Sequence, residues 1–303
     1  MVLIITSSFD ETVNFLLKKY KDFNNNTFRL NVDKLEEYEI DIYGDYWKIN
    51  HNYCCISDID VTSIYYRKPT IPDISSFDLR YHYLIQRDII ALVNGIVDAF
   101  NGVVISKPCI LRKVENKIYQ LIYAYKFGWK LPCSYIGNSN KECEIWLDND
   151  NIIKPISIGM TKNEIDAELY HTNFFNGFLN DVSLTPVYLQ KYIEKKYEVR
   201  VTVVDKRIFA VRIDTIDKLD WRKDYENHKY SIINCPKDIE SKCLGMLKDF
   251  NLLFGAFDFI VTPENEWIFL ELNPNGQWLW LEMDAGINIS SYIVEKLLQN
   301  ENN

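Results

Sequence analysis

Two apolar runs near the C-terminus each carry a carboxylate in their middle, and no other feature restricts the fold of this chain as much. The runs are Gly255-Ala-Phe-Asp-Phe-Ile-Val261 and Ile268-Phe-Leu-Glu-Leu-Asn-Pro-Asn-Gly-Gln277. Short runs of Ile, Val and Phe read as buried strands, where an ionised Asp258 or Glu271 is costly unless paired or bound to a metal. Glu271 and Asn273 are two residues apart, so in a strand they point to the same face. With Asp258 on the preceding strand, three oxygen ligands come together. Hard oxygen donors suit Mg2+, which keeps several waters and bridges substrate phosphates. The pattern points to nucleotide chemistry.

The chain has 303 residues, 47% of them hydrophobic, enough for one large domain or two to three small ones. Its net charge of -9 argues against a general nucleic-acid grip, which needs a basic footprint. The start, Met1-Val-Leu-Ile-Ile-Thr, lacks the basic segment and long apolar core of a signal peptide, and no apolar run is long enough to span a bilayer. The seven cysteines are odd in number and form no Cys-x-x-Cys, which fits a reduced, cytoplasmic chain without structural zinc.

Up to residue 102, strands and helices alternate as in an open α/β domain. Val2–Ile5 reads as a buried strand leading into a helix over 10–21, followed by a strand at Thr27–Val32. A hairpin is expected within Ile40–Cys55, then a strand ending at Pro69 and a long helix over 78–100, closed by Asn101-Gly102. The apolar spacing Leu84, Ile85, Ile89, Leu92, Val93, Ile96, Val97 predicts the buried stripe of that helix. A second, smaller unit, 103–186, is expected to open on a strand at Val103 and to hold a helix over 114–126 and strands at Glu144–Leu147 and Asn151–Pro155. The third, 187–303, reads as mostly strands, with helices over 237–250 and 290–298. The fold class is thus α/β to α+β, with a C-terminal, mostly antiparallel sheet domain.

Lys117, after Asn116 at a helix start, and Lys154, within Ile152-Ile-Lys-Pro-Ile-Ser-Ile-Gly159, are either phosphate-binding ammonium groups or snorkelling surface lysines. Ser157 and Gly159 suit a loop that approaches phosphates. The extended segment Gln190, Lys191, Tyr192, Ile193 offers backbone groups to an adenine edge, and Glu198 offers a carboxylate to ribose hydroxyls. Arg200, Arg212 and Arg222 are candidate anion clamps. Arg212, inside Phe209-Ala-Val-Arg-Ile213, fits an ordinary surface ion pair least well. The four histidines have no metal spacing, and nucleophile-elbow, P-loop and Rossmann signatures are absent from the sequence.

Taken in order, these residues resemble the ATP-grasp ligases over roughly residues 103 to 290. Lys117 and Lys154 resemble the nucleotide-binding lysines, Gln190–Ile193 the adenine hinge, and Asp258, Glu271 and Asn273 the magnesium triad. Glu198-Val-Arg200, Arg212 and Asp220-Trp-Arg222 resemble the ribose, acyl-phosphate and phosphate run of the glutamate-adding branch. Leu3-Ile-Ile-Thr-Ser-Ser-Phe-Asp10, Tyr65-Tyr-Arg-Lys-Pro69 and Leu270–Trp278 are similar to the microviridin-type peptide maturases, the graspetide or grasp-with-spasm group. Pro155-Ile-Ser-Ile-Gly159 departs from the Gly-rich phosphate loop of many ATP-grasp enzymes.

The resemblance implies ATP and Mg2+ as cofactors, a ribosomal precursor peptide with leader and core as partner, and a homodimer. It implies that an Asp or Glu side chain is activated as an acyl phosphate and joined to a Ser, Thr or Lys side chain. In that scheme Arg200 and Arg212 stabilise the acyl phosphate and Arg222 grips phosphate. Asp214 either orients or deprotonates the acceptor or pairs with Arg212. The aromatic segment with Phe174, Phe175 and Phe178 becomes a lid or leader dock, or simply core. The alternatives are a ligase that adds an amino acid or glutamate to a small carboxylate or protein terminus, and a non-catalytic nucleotide-binding scaffold.

Overall fold

The computed structural model describes residues 1–146, 150–157, 160–162, 167–169, 172–175, 182–215, 217, 219 and 228–299. The N-terminal elements are β1 (Val2–Thr6), α1 (Glu11–Lys19), α2 (Lys21–Asn25), β2 (Thr27–Asn31), β3 (Glu39–Tyr43), β4 (Tyr46–His51), β5 (Cys54–Ser57), β6 (Ser63–Tyr66), α3 (Leu79–Ala99) and β7 (Val103–Ile105). Strands β2-β1-β6-β7 form a parallel sheet in that order. Every residue of β1 is buried, as expected of a parallel strand covered on both faces. Val2, Ile4, Tyr65 and Ile105 join one core cluster, and Leu3, Ile5, Ile64 and Val104 join another with α3. Asp10 caps α1 by accepting the Thr12 and Val13 amides at 2.9 and 3.2 Å.

Three expectations change here. Val103–Ile105 pairs with β6, so the first sheet runs past the expected boundary at 102. Strands β3-β4-β5 make a three-stranded meander rather than a single hairpin. Only Val93, Ile96 and Val97 of α3 are buried, while Leu84 is exposed. The reason is length. A helix of 21 residues is about 31 Å long, whereas the four residues of β6 span about 13 Å, so the first half of α3 overhangs the sheet.

The chain continues through α4 (Pro108–Val114), α5 (Lys117–Lys126), β8 (Ser134–Gly137), α6 (Asn140–Glu144), β9 (Asn151–Lys154), β10 (Met160–Lys162), β11 (Ala167–Leu169), β12 (Asn173–Phe174) and β13 (Val187–Lys191). The order β12-β9-β13-β8 defines a second, antiparallel sheet. Asn116 starts α5 afresh by accepting the Tyr119 amide at 3.0 Å, which divides the expected 114–126 helix. Residues 140–144 are helical, capped by Ser139 with Cys143 buried, and Ile145 and Trp146 follow in a turn where a strand was expected.

The C-terminal part holds β14 (Tyr197–Val204), β15 (Arg207–Asp214), β16 (Lys229–Ile233), α7 (Lys237–Asp249), β17 (Phe254–Val261), β18 (Trp267–Asn273), α8 (Leu279–Ala285) and α9 (Ile289–Leu298). Its antiparallel sheet has the order β16-β15-β14-β17-β18. One face packs on α5 and α7 through Val199, Val201, Phe257 and Phe259; the other carries Val204, Val211 and Phe254 toward α9 and the N-terminal sheet. Trp278 is fully buried at that junction, with its indole N–H 3.3 Å from the Tyr65 hydroxyl. Trp278→Ala should therefore cost about 3–5 kcal/mol of stability, measurable as a lower urea midpoint.

Candidate active site

The register of β17 and β18 sets Asp258 opposite Glu271 and Ala256 opposite Asn273. Directly opposed residues share a face, so Asp258, Glu271 and Asn273 converge. The Asn273 amide nitrogen donates to Asp258 Oδ2 at 2.9 Å and lies 3.4 Å from Glu271 Oε1. The register slips by one between Asp258 and Phe259, leaving Leu270 as the extra residue of a β-bulge. That slip gives Phe269 and Glu271 opposite destinies although they are two residues apart. Phe269 is buried among Phe257, Phe259 and Trp129, and Glu271 faces the cleft.

Strand β18 lies at the edge of its sheet, and α5 closes that edge. Gln120 imitates a neighbouring strand: its carbonyl accepts the Leu272 N–H at 2.8 Å, and its amide donates to the Leu272 C=O at 2.7 Å. The Phe269 amide donates to the Lys130 carbonyl at 2.9 Å. The backbone on both sides of the bulge is therefore held.

On β14, Glu198 and Arg200 alternate with the core residues Val199 and Val201. Arg200 pairs with Asp258, Nε to Oδ1 at 3.0 Å, both side chains only 6% exposed. Glu198 accepts from Lys195 Nζ at 2.5 Å, also well buried. Charge thus alternates along one sheet face from Lys195 through Glu198 and Arg200 to Asp258, and Glu271 adds a second carboxylate beside Asp258. Charges in such a low-dielectric setting hold one another in place far more firmly than at a surface.

Lys117, Gln120, Lys154, Tyr188, Leu270 and Glu271 line one small cleft. Lys117 reaches across it to donate to the Pro155 carbonyl at 2.8 Å. The structure thus brings both candidate lysines to the metal-side carboxylate. Gln190 is buried, its amide donating to Ser134 Oγ at 3.0 Å and toward Tyr188 Oη at 3.1 Å. The Lys191 and Tyr192 amides are used within the sheet, bonded to the carbonyls of Cys133 and Asp150 at 2.9 and 2.7 Å. A separate cavity of about 700 Å³, lined by Trp47, Asp58 and Phe100, holds none of the candidate residues.

Arg212 and Asp214 are not brought to this cleft. The β14–β15 register sets Arg212 opposite Val199 and Arg200 opposite Val211, which puts the two arginines on opposite faces of the sheet. Arg212 stacks over Tyr197, its guanidinium carbon 4.1 Å from the ring centroid, and pairs with Asp214 at 2.6 Å. Arg212 and Asp214 form a half-exposed ion pair on the face that carries Val199. Arg222, Gly159 and Phe178 lie outside the described residues. Phe174 is exposed and tilted against Tyr192 at 5.3 Å, whereas Phe175 belongs to a small core with Leu189. Among the described residues no three His, Cys, Asp or Glu side chains gather as a metal site. The triad instead offers two carboxylates and an amide, a set that suits Mg2+ sharing its shell with water and phosphate.

Sequence reasoning missed Gln120, Arg67 and Gln277. Arg67 is 1% exposed and lies 3.6 Å from Asp10. It donates to Thr12 Oγ1 at 3.2 Å and to Gln277 Oε1, just past the triad. Its signal was a charged residue at the end of the apolar run Ser63-Ile-Tyr-Tyr. Gly276 sits where an added Cβ would lie 2.8 Å from the Ala256 Cβ and 3.2 Å from that of Asn273. Gly276→Ala should push the 274–277 turn off Asn273 and lower metal-dependent activity several-fold, read as a raised Mg2+ requirement.

No family model matches the sequence, and no curated protein does. Solved structures match along nearly its whole length. The macrocyclase MdnC of Microcystis aeruginosa, bound with precursor peptide MdnA, is 23% identical, with TM-score 0.86 over 98% of this chain and 99% of that one. A RiPP-associated ATP-grasp ligase of Chryseobacterium gregarium, in complex with ADP and a leader and core peptide, is 25% identical, with TM-score 0.84 over 98% and 94%. D-alanyl-alanine synthetase A of Vibrio cholerae aligns at 9% identity and TM-score 0.60 over 100% and 98%. The chain has the ATP-grasp fold, in the arrangement taken by the RiPP macrocyclases.

Proposed function

We propose that the protein is an ATP-dependent peptide ligase that joins Asp or Glu side chains of a ribosomal precursor peptide to Ser, Thr or Lys side chains as ω-esters or ω-amides. The observation that carries this reading is the convergence of Asp258, Glu271 and Asn273 on a cleft with Lys117 and Lys154, within a fold matched over 98% of the chain by peptide-bound ligases.

The Asn273 amide group reaches both carboxylates, and turned over it would set its oxygen beside theirs, so the triad fits Mg2+. Bound there, Mg2+ would neutralise charge on the ATP phosphates. Lys117 and Lys154 would hold those phosphates. The hinge at Gln190–Ile193 would seat adenine, with Glu198 at the ribose hydroxyls. A peptide carboxylate would take the γ-phosphoryl group, ADP would leave, and a hydroxyl or amine of the same peptide would displace phosphate. Arg200, fixed by Asp258, would stabilise the acyl phosphate, a role worth roughly a few kcal/mol per donor. Arg222 would grip phosphate, as the resemblance implies. Phe174 would help exclude water, which otherwise hydrolyses such an intermediate.

Intact-mass spectrometry of a candidate precursor incubated with the protein, ATP and Mg2+ tests this. Loss of one water mass per linkage, abolished by Glu271→Ala, is the expected result. ADP release driven by free amino acids, with no mass loss, would favour the amino-acid-adding ligase instead. Full biological effect from an inactive triad variant would favour the scaffold.

The seven cysteines are free and no described helix can cross a membrane, which supports a reducing, cytoplasmic setting. A homodimer is part of the proposal, with the exposed Leu79, Tyr83, Leu84 and Ile90 of the overhanging half of α3 as its contact. Leu84→Glu should halve the mass seen by light scattering and leave the fold intact.

A further inference from the structure

The carboxyl ends of β1 and β6 meet at the point where the parallel sheet branches, with β2 on one side of β1 and β6 on the other. In open α/β sheets that crevice is where ligands bind. Here it is closed from below by Arg67 and leaves Lys68 on its rim. The Arg67 amide is bonded to the Ile5 carbonyl at 2.9 Å. Ser7 Oγ donates to the Lys68 carbonyl at 3.3 Å and accepts the Thr70 amide at 2.8 Å. So pinned, Lys68 adopts a left-handed backbone, φ +43°. A non-glycine residue is held there only where surrounding contacts enforce it.

We propose that Lys68 is a substrate-binding cation: its ammonium receives the peptide side-chain carboxylate that is phosphorylated, and then the acyl phosphate, from the N-terminal wall of the cleft. This rests on the ligase reading above. Three observations carry it. First, Arg67 ties the same turn to Gln277 and approaches Asn275 at 3.5 Å, so Lys68 is anchored to the loop that leaves the metal triad. Second, Arg212, which the sequence suggested for this task beside Arg200, lies on the opposite face of the C-terminal sheet from Arg200. Third, desolvation and the neighbouring Arg67 and Arg200 charges pull the Lys68 pKa down, against the raising effect of Asp10 and Glu115, so Lys68 stands near Arg200. A flexible amine suits an oxygen anion whose geometry changes from planar carboxylate to tetrahedral phosphate, since it imposes no fork of its own.

Lysine footprinting tests the assignment. The native protein is acetylated briefly in chloride, in inorganic phosphate or in a blocked glutamate (N-acetyl-glutamate α-amide), at equal ionic strength, and separately with ADP and Mg2+. Peptide mass mapping then reads each lysine. Lys68 should be protected at least threefold by phosphate or blocked glutamate, while Lys117 and Lys154 are protected by ADP and Mg2+. The thermal shift given by phosphate should vanish in Lys68→Met and survive in Lys68→Arg. Labelling of Lys68 that ignores both anions, or an equal thermal shift in Lys68→Met, overturns the proposal even if the nucleotide lysines behave as expected. Loss of nucleotide protection at Lys117 and Lys154 would instead sink the ligase reading.

Discussion

Asp258→Ala is expected to abolish ATP-dependent turnover and, independently of any metal, to destabilise the fold by about 3–5 kcal/mol, the usual result of removing one partner from a buried ion pair. Asp258 is where two systems meet. It is a ligand of the proposed Mg2+ site, and its other oxygen faces Arg200 at 3.0 Å with both side chains almost fully buried. Taking it away leaves a guanidinium in a low-dielectric site without its carboxylate. Glu271→Ala should behave differently. Glu271 is only partly buried and bears on the cleft, so activity should vanish while the urea midpoint moves little. Equal midpoints for the two variants would mean that the Arg200–Asp258 pair contributes nothing net to stability.

The second large effect is expected at Gln120, a residue with no chemical part in the reaction. Gln120→Leu keeps the volume and removes both bonds to Leu272, leaving a buried N–H and C=O unpaired at about 1–3 kcal/mol each. A loss of about 2–6 kcal/mol should appear in chemical denaturation. Because Leu272 sits between Glu271 and Asn273, the requirement for Mg2+ should also rise. Gln120→Glu retains the acceptor and should recover part of both. Unchanged Mg2+ dependence in Gln120→Leu would show that β18 holds its shape without α5.

The triad was legible because ionisable side chains in apolar strands announce themselves, and spacing by two settles a common face. What spacing cannot settle is which face. Arg212 and Asp214 do share one, as their separation implies, but it is the face opposite Arg200. The signal was present in the two-residue turn Asp205-Lys206. That turn pairs Val204 with Arg207 and so, by counting back, Val199 with Arg212. Residues 144–146 were misread because Ile-Trp suggests a strand, whereas Ser139 with Glu142 three positions later is the sequence sign of a helix start, and the Ser139 hydroxyl accepts the Glu142 amide. The α3 stripe was read correctly as a period. Its burial depended on the length of the strands beneath it, which the helix's own residues do not encode. Gln120 was invisible for the same kind of reason, since its role belongs to the edge of a strand about 150 positions away.

The bulge at Leu270 makes the identity of the metal-side carboxylate a matter of counting residues rather than of chemistry. A deletion of Leu270 would leave a regular strand, in which Phe269 and Glu271 would become immediate neighbours pointing to opposite sides, as they already do. An insertion of one apolar residue beside it would leave Phe269 and Glu271 three positions apart, still on opposite sides, but in a regular strand would set Glu271 opposite Ala256 instead of Asp258. A sequence alignment that slides a one-residue gap across 268–271 would pair the wrong residues between two enzymes whose folds superimpose.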